Sequence, residues 1–315
     1  MAKTLPTIEV LNDILRKTIN TAWHLNNIHQ HGINKWLDNF SGEALYDVLM
    51  DKEEARMREQ QIALFLLCHF VYYNEDETKH LMRLMLEKYI HRILLLNEQM
   101  NPDDSNIDDI IKKTKFSQLG NESESSAYML YLFRQINDLS KKDFSNKESV
   151  ENIVFVDDFS ITGSQAKRYL EKYIREHPDC KDKKIYVLLM VSTNEAVSNI
   201  KEISEVSEVL PCIVMDETSK AFSDSSIIFQ GYPKELKDEA RKMCEYYGER
   251  IKLEEEGSTA LGFGGGGYLF GAYYNTPNNS LPIFWSEEKN WKPFFKRYNK
   301  RYTADSKIRL GGQYV

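Results

Sequence analysis

The stretch richest in chemistry is Ile153-Val154-Phe155-Val156-Asp157-Asp158-Phe159-Ser160-Ile161-Thr162-Gly163-Ser164-Gln165. Its apolar, β-branched start reads as a strand buried on both faces. The strand emerges with two adjacent carboxylates, which alternation sends in different directions. A loop then delivers Thr162-Gly163-Ser164 to the start of a helix. A helix N-terminus offers unpaired N–H groups and a partial positive charge, which suit a phosphate. Gly163 lets the backbone approach closely, and Thr162 and Ser164 add hydroxyls. Carboxylates beside a phosphate cradle suit a ligand with both hydroxyls and a phosphate, such as a ribose 5-phosphate. The acids would accept from the sugar hydroxyls directly or through Mg²⁺. A receiver-type domain, a Mg²⁺-dependent phosphohydrolase or a merely capped helix start would share parts of this pattern.

Two other segments could complete such a site. Upstream, Ser123, Ser125 and Ser126 open a helix that runs through Tyr128, Leu132, Phe133 and Ile136. They can hold an anion, although Glu122 and Glu124 oppose that without a metal, and a serine-rich cap reads the same way. Arg134, two turns in, either reaches a phosphate or lies on the surface. Downstream, residues 261–285 carry four consecutive glycines and then Asn275-Thr276-Pro277-Asn278-Asn279. The glycines free the backbone to fold over a ligand, and the asparagine run is turn chemistry with side chains that donate and accept. The glycines are not spaced as a dinucleotide fingerprint requires.

The 153–165 run resembles the phosphoribosyl-pyrophosphate motif of type I phosphoribosyltransferases: four apolar residues, two acids, three mostly apolar residues, then Thr-Gly-x-Thr. It departs at Gln165, where that family usually has Thr. Adding the serine-rich loop and the later Asn-Thr-Pro-Asn-Asn-x-Leu-Pro-x-Phe-Trp, the chain resembles the phosphoribosyltransferase-like effector family of bacterial conflict systems over about residues 110–300. The resemblance implies catalytic roles for Asp157 and Asp158. It implies phosphate and ribose binding by Thr162, Gly163, Ser164 and Gln165, with Ser123, Ser125 and Ser126. Arg134, Asn275, Thr276, Asn278 and Asn279 would line or brace the pocket. It further implies chemistry at the anomeric carbon of a ribose 5-phosphate or nucleotide, with Mg²⁺ carried by the ligand and not held directly by protein. The biological role implied is the toxic arm of a retron-type anti-phage system, partnered by a reverse transcriptase with its DNA and a DNA-binding regulator. Two other readings stay open: a non-catalytic nucleotide-sensing module, and a phosphohydrolase-like site on Asp157.

These residues need a scaffold. Strand patterns at 153–156, 185–191 and 209–214 alternate with helical stretches at 164–175, 194–202 and 233–251, which predicts an α/β fold with a mostly parallel sheet flanked by helices. Ile227-Ile228-Phe229 is a candidate fourth strand. Before them, 56–73 and 78–99 show helical stripes, with capping residues at 73–78. We expect a helical N-terminal extension over 1–105 and a phosphoribosyltransferase-like α/β domain over 106–315.

The 315 residues are 42% hydrophobic and 28% charged, enough for a real core. A net charge of −7 argues against a generic polycation for nucleic acid or lipid. No run approaches the roughly 20 apolar residues of a membrane span. Lys3, Glu9, Asp13, Arg16 and Lys17 interrupt the start of the sequence and argue against a secretory leader. Four scattered cysteines suggest reduced thiols and a cytoplasmic setting. His24, His29 and His31 cluster without an acidic or cysteine partner. Residues 289–302 interleave Lys and Arg with Trp291, Phe294, Phe295 and Tyr298, which suits either a packed amphipathic helix or contact with a nucleic-acid strand.

Overall fold

The computed structural model describes residues 3–23, 28–46, 51–96, 104–120, 125–139, 150–295 and 297. In chain order its elements are α1 (Ile8–Thr21), α2 (Ile28–Leu37), α3 (Lys52–Cys68), β1 (Val71–Tyr73), α4 (Glu75–Leu96), α5 (Asp104–Lys112) and β2 (Thr114–Gln118). There follow α6 (Ser125–Ile136), β3 (Asn152–Ser160), α7 (Ser164–Glu176), β4 (Lys184–Thr193), α8 (Asn194–Lys201) and β5 (Val206–Met215). The chain continues with α9 (Lys234–Ile251), β6 (Ser258–Thr259), β7 (Gly262–Phe263) and β8 (Phe270–Ala272).

The main sheet runs β2-β3-β4-β5, every pair parallel. Its central strands are apolar throughout because both faces are covered. Val154, Val156, Tyr186, Leu188 and Met190 pack into one core with Leu81, Met85 and Tyr89 of α4 and Met129 and Phe133 of α6. Ile153, Phe155, Ile185, Val187 and Leu189 point the opposite way, onto Ala166 and Leu170 of α7 and Ile200 of α8. This is the expected α/β architecture with a parallel sheet between helices.

Ile227, Ile228 and Phe229 form no strand. They lie in turns, Ile228 and Phe229 are buried in the helical core, and Ile227 is exposed. The fourth strand is β2, on the other side of β3. A second departure is at 69–73, where the helical stripe stops. His69 leaves helical geometry (φ −100°, ψ 4°), Val71 N–H donates to the Leu269 carbonyl at 2.9 Å, and β1 pairs in parallel with β8. The break at 73–78 does carry a capping box: Glu77 N–H donates to Asn74 Oδ1, and Asn74 N–H donates to Glu77 Oε2, both at 2.9 Å.

Packing crosses residue 105. α4 sits on β4 and β5, and α1 to α3 share a core with α9 and residues 281–295. Trp36 and Trp291 both donate to the Ile283 carbonyl, at 2.7 and 2.9 Å. The fully buried Glu59 of α3 accepts from the Gly42, Ala44 and Leu45 amides at 2.7–2.9 Å and from the Tyr247 hydroxyl of α9 at 2.6 Å. Four donors on one carboxylate meet the requirement that a buried charge be fully hydrogen-bonded. Among the described residues no helix is long and apolar enough to cross a membrane.

Candidate active site

β3 carries both acids within the strand and runs on to Ser160, which still registers with Ser192 of β4. Asp157 is half-buried and Asp158 buried, as alternation requires. The loop that follows is held from behind. Ser192 Oγ donates to the Ser160 carbonyl at 3.0 Å, Thr193 Oγ1 to the Ile161 carbonyl, and Asn199 Nδ2 to the Thr162 carbonyl at 2.7 Å. In a planar trans peptide the N–H points opposite to the C=O. With three successive carbonyls turned toward β4 and α8, the N–H ends of those peptide planes face away from them.

Gly163 caps α7 in left-handed geometry, at φ +72°. A Cβ there would stand 2.8 Å from the Ala196 carbonyl oxygen and 3.0 Å from its Cα. The glycine therefore serves the approach of the loop to α8, in addition to any approach of a ligand. The first turn of α7 has no side-chain cap beyond a long contact from Ser164 N–H to Thr162 Oγ1, at 3.4 Å.

A cavity of about 600 Å³ opens at this point. Its lining takes in Asp157, Asp158, residues 159–166 and Ser126, and, from far along the chain, Asn275, Asn278 and Asn279. Phe263, just before the glycine run, lines the cavity together with Asn278 and Asn279, and the two segments are tied to each other. Phe263 N–H donates to the Asn278 carbonyl at 2.7 Å, and Asn279 Nδ2 to the Phe263 carbonyl at 3.1 Å. Gly262, at φ +99°, leaves no room for a Cβ, which would lie 2.8–2.9 Å from the carbonyls of Asn278, Asn279 and Ser280.

The cavity wall holds unsatisfied polar atoms. Asp158 Oδ1 accepts from Phe159 N–H at 2.7 Å, but its buried Oδ2 has no hydrogen-bond partner among the described residues; nor do Ser126 Oγ and the Tyr274 hydroxyl. Burial pushes the Asp158 carboxyl above the usual carboxylate range, although the Phe159 amide acts the other way. Tyr274 faces Asp158, and burial, followed by the charge of Asp158, drives its phenol well up. Asp158 and Ser126 line the cavity while Tyr274 only faces Asp158, and native interiors leave few such atoms. Among the described residues no group of three or more His, Cys, Asp or Glu could hold a metal ion. Any metal here would need a ligand's own oxygens to complete its shell.

A family model described as PRTase-CE matches residues 33–297. The chain belongs to the PRTase-CE family. The match identifies a phosphoribosyltransferase-like effector, and it takes in most of the helical segment as well as the sheet. No curated protein and no solved structure matches the chain.

Two of the expected PRTase-CE site residues, Arg134 and Thr276, are not in the cavity lining. Arg134 is outside the cavity lining, with its guanidinium 5.9 Å from the Tyr131 ring, because it points off the outer side of α6. Thr276 is buried beneath the cavity, and its carbonyl faces Arg297. Ser123, the side chain of Ser125, His24, the side chains of His29 and His31, and residues 298–302 lie outside the described residues. Of the 289–302 stretch, only 289–295 and 297 are among the described residues. Trp291, Phe294 and Phe295 are core residues, and Lys289 and Asn290 have positive φ, which breaks any helix there.

Sequence reasoning missed Arg168, Glu255, Glu256, Arg297 and Tyr274. Arg168 had an available signal: it is one helical turn past Ser164, on the same face. Glu255 accepts from Asn278 Nδ2 at 2.9 Å, a long-range pairing that no local pattern announces.

Proposed function

We propose that this PRTase-CE chain is an enzyme acting at the anomeric carbon of a ribose 5-phosphate unit or nucleotide, by phosphoribosyl transfer or N-glycosidic hydrolysis. The carrying observation is that Asp157, Asp158, the open first turn of α7 and the asparagine loop border one cavity whose buried polar atoms are incompletely paired. In this reading Thr162, Gly163, Ser164 and Gln165 hold the 5-phosphate. Asp157 and Asp158 accept from the sugar hydroxyls and stabilise the positive charge that develops at the anomeric carbon. Ser126 reaches the leaving group. Mg²⁺ brought by the ligand would neutralise the diphosphate. We further propose, from the sequence resemblance alone, a role as the toxic arm of a conflict system of the retron, anti-phage kind, with a reverse transcriptase–DNA complex or a DNA-binding regulator as partner.

Calorimetry with phosphoribosyl pyrophosphate and Mg²⁺ tests the site. Wild type binds, and the double variant Asp157→Asn/Asp158→Asn loses on the order of 100-fold in affinity, the equivalent of two charge-assisted hydrogen bonds. No binding of this ligand, of ribose 5-phosphate or of nucleotides by wild type sinks the reading. A second reading, a nucleotide-sensing module without catalysis, is favoured by Gln165, which is longer and less preorganised than the usual Thr. The two separate on growth: an enzyme is toxic on expression and the double variant, still folded and ligand-free, is harmless.

A further inference from the structure

Arg297 is a cation held in the wall of an acidic cavity. It lines the same space as Asp157, Asp158, Glu255 and Glu256. Its Nη1 donates to the Thr276 carbonyl at 2.7 Å, and its guanidinium carbon lies 4.9 Å from the Trp285 ring centroid. Trp285 is buried, and its indole N–H is fixed on the Ser280 carbonyl at 2.9 Å. Glu255, whose charge Arg297 feels, commits one oxygen to Asn278. Among the described residues the guanidinium makes no ion pair with a carboxylate.

A cation drawn out of water costs several kcal/mol unless it is paired and hydrogen-bonded. A guanidinium has five donors in a fixed fork, and one carbonyl uses one of them. The stack on Trp285 holds the plane in position without using a donor. Partial burial lowers the Arg297 pKa to about 10, with Glu255 and Asp158 opposing the shift from across the cavity. The remaining donors therefore stand in a poorly solvated site, oriented, with no anion among the described residues to take them.

We propose that Arg297 is an anion-binding residue of the cavity, which takes a second phosphate of the ligand, separate from the one at the start of α7. The geometry favours a phosphate over a carboxylic acid or a neutral base. A planar fork takes carboxylate and phosphate alike, but the acids lining the cavity would repel a bare carboxylate more than a ligand with two phosphates and a bound cation. Only the identity of that second phosphate, as the diphosphate of a phosphoribosyl ligand, rests on the ribose-phosphate reading above. The existence of an anion site at Arg297 does not.

The test compares wild type, Arg297→Gln and Arg297→Lys by calorimetry in Mg²⁺ buffer, with three probes: phosphoribosyl pyrophosphate, ribose 5-phosphate and inorganic pyrophosphate. Thermal melts check folding. Arg297→Gln is expected to weaken phosphoribosyl pyrophosphate and inorganic pyrophosphate about tenfold to a hundredfold, and ribose 5-phosphate less than about threefold. Arg297→Lys, which keeps the charge and loses the fork, falls between; it carries the comparison if the Gln variant does not fold. Equal binding of pyrophosphate by wild type and variants overturns the proposal, as does an equal loss for all three probes. If wild type binds inorganic pyrophosphate through Arg297 but neither sugar ligand, the anion site stands and the ribose-phosphate reading fails. If wild type binds none of the three, both fail.

Discussion

Replacing Gly163 with alanine separates two effects that usually arrive together. The first is conformational: at φ +72° an L-residue meets a cost of about 1 kcal/mol that glycine avoids. The second is contact. The new Cβ would sit 2.8 Å from the Ala196 carbonyl oxygen and 3.2 Å from Asn199 Cβ, and the first of these is backbone of α8, which cannot rotate aside. Relieving it moves α7 and α8 apart by some tenths of an ångström, an overpacking cost of about 1–3 kcal/mol. The total is about 2–4 kcal/mol, and at roughly 2 °C per kcal/mol for a chain of this size the melting temperature falls by about 4–8 °C. Gly265→Ala is the built-in control. Its φ is +65°, and nothing lies within 4 Å of its Cβ position, so only the first effect applies. Urea titrations of both variants measure the difference directly. The same displacement carries the start of α7 away from the cavity, and affinity for ribose 5-phosphate should fall tenfold or more, because hydrogen bonds weaken steeply with misplacement. Unfolding free energies that are the same for Gly163→Ala and Gly265→Ala would refute the argument that α8 sets the loop.

Three further outcomes follow from buried polar groups. Asp158, whose carboxyl titrates above the ordinary value of 3.8, binds its proton more tightly folded than unfolded. Its contribution to stability is thus full below that ordinary value and is lost as pH rises through the higher folded one. Asp158→Asn should therefore gain stability over wild type as pH rises above about 4, and a melting-temperature difference that stays flat or reverses as pH rises contradicts the burial argument. Tyr274→Phe removes a hydroxyl that faces the Asp158 carboxyl and meets no other hydrogen-bond partner among the described residues, so the melting temperature should change little while affinity for phosphoribosyl pyrophosphate drops roughly tenfold. A large loss of stability instead would assign the hydroxyl a structural role. Glu59→Gln keeps the volume but faces an amide against donors, and should cost about 3 kcal/mol in urea unfolding. An unfolding midpoint indistinguishable from wild type would show that the helical layer does not depend on this carboxylate.

What could be read from the sequence was what is contiguous in it. The 153–165 run holds its strand, acids, loop and helix start within one window, so its geometry follows from local rules. The central strands betray themselves by unbroken apolar runs. The pieces that escaped are those joined only by topology. Val71–Tyr73 is a short strand that continues a helical stripe, and only pairing with Phe270–Ala272 makes it β. Ile228 and Phe229 are apolar because they plug the helical core, and a short apolar run does not say which structure buries it. Arg297 was legible as one cation in a basic, aromatic stretch, a composition that suggested a polyanion. The fold commits Trp291, Phe294 and Phe295 to the core, as the packed reading of that stretch had it, and places this one guanidinium in the cavity. The asparagine loop was legible as turn chemistry, and its place opposite the acids was not, because Gly262 and Asn278 meet through tertiary backbone contacts.

The parallel pairing of Val71–Tyr73 with Phe270–Ala272 has a consequence for how the protein is born. One partner leaves the ribosome early and the other late, and the walls of the cavity come from Ser126, the 157–166 turn, the 275–279 loop and Arg297. A nascent chain therefore lacks a binding site until almost all of that span has been synthesised. The early helices meanwhile wait with an uncovered apolar side for α9 and residues 281–295 to arrive. A ribosome stalled midway through this message would display half a core and an unfinished cavity.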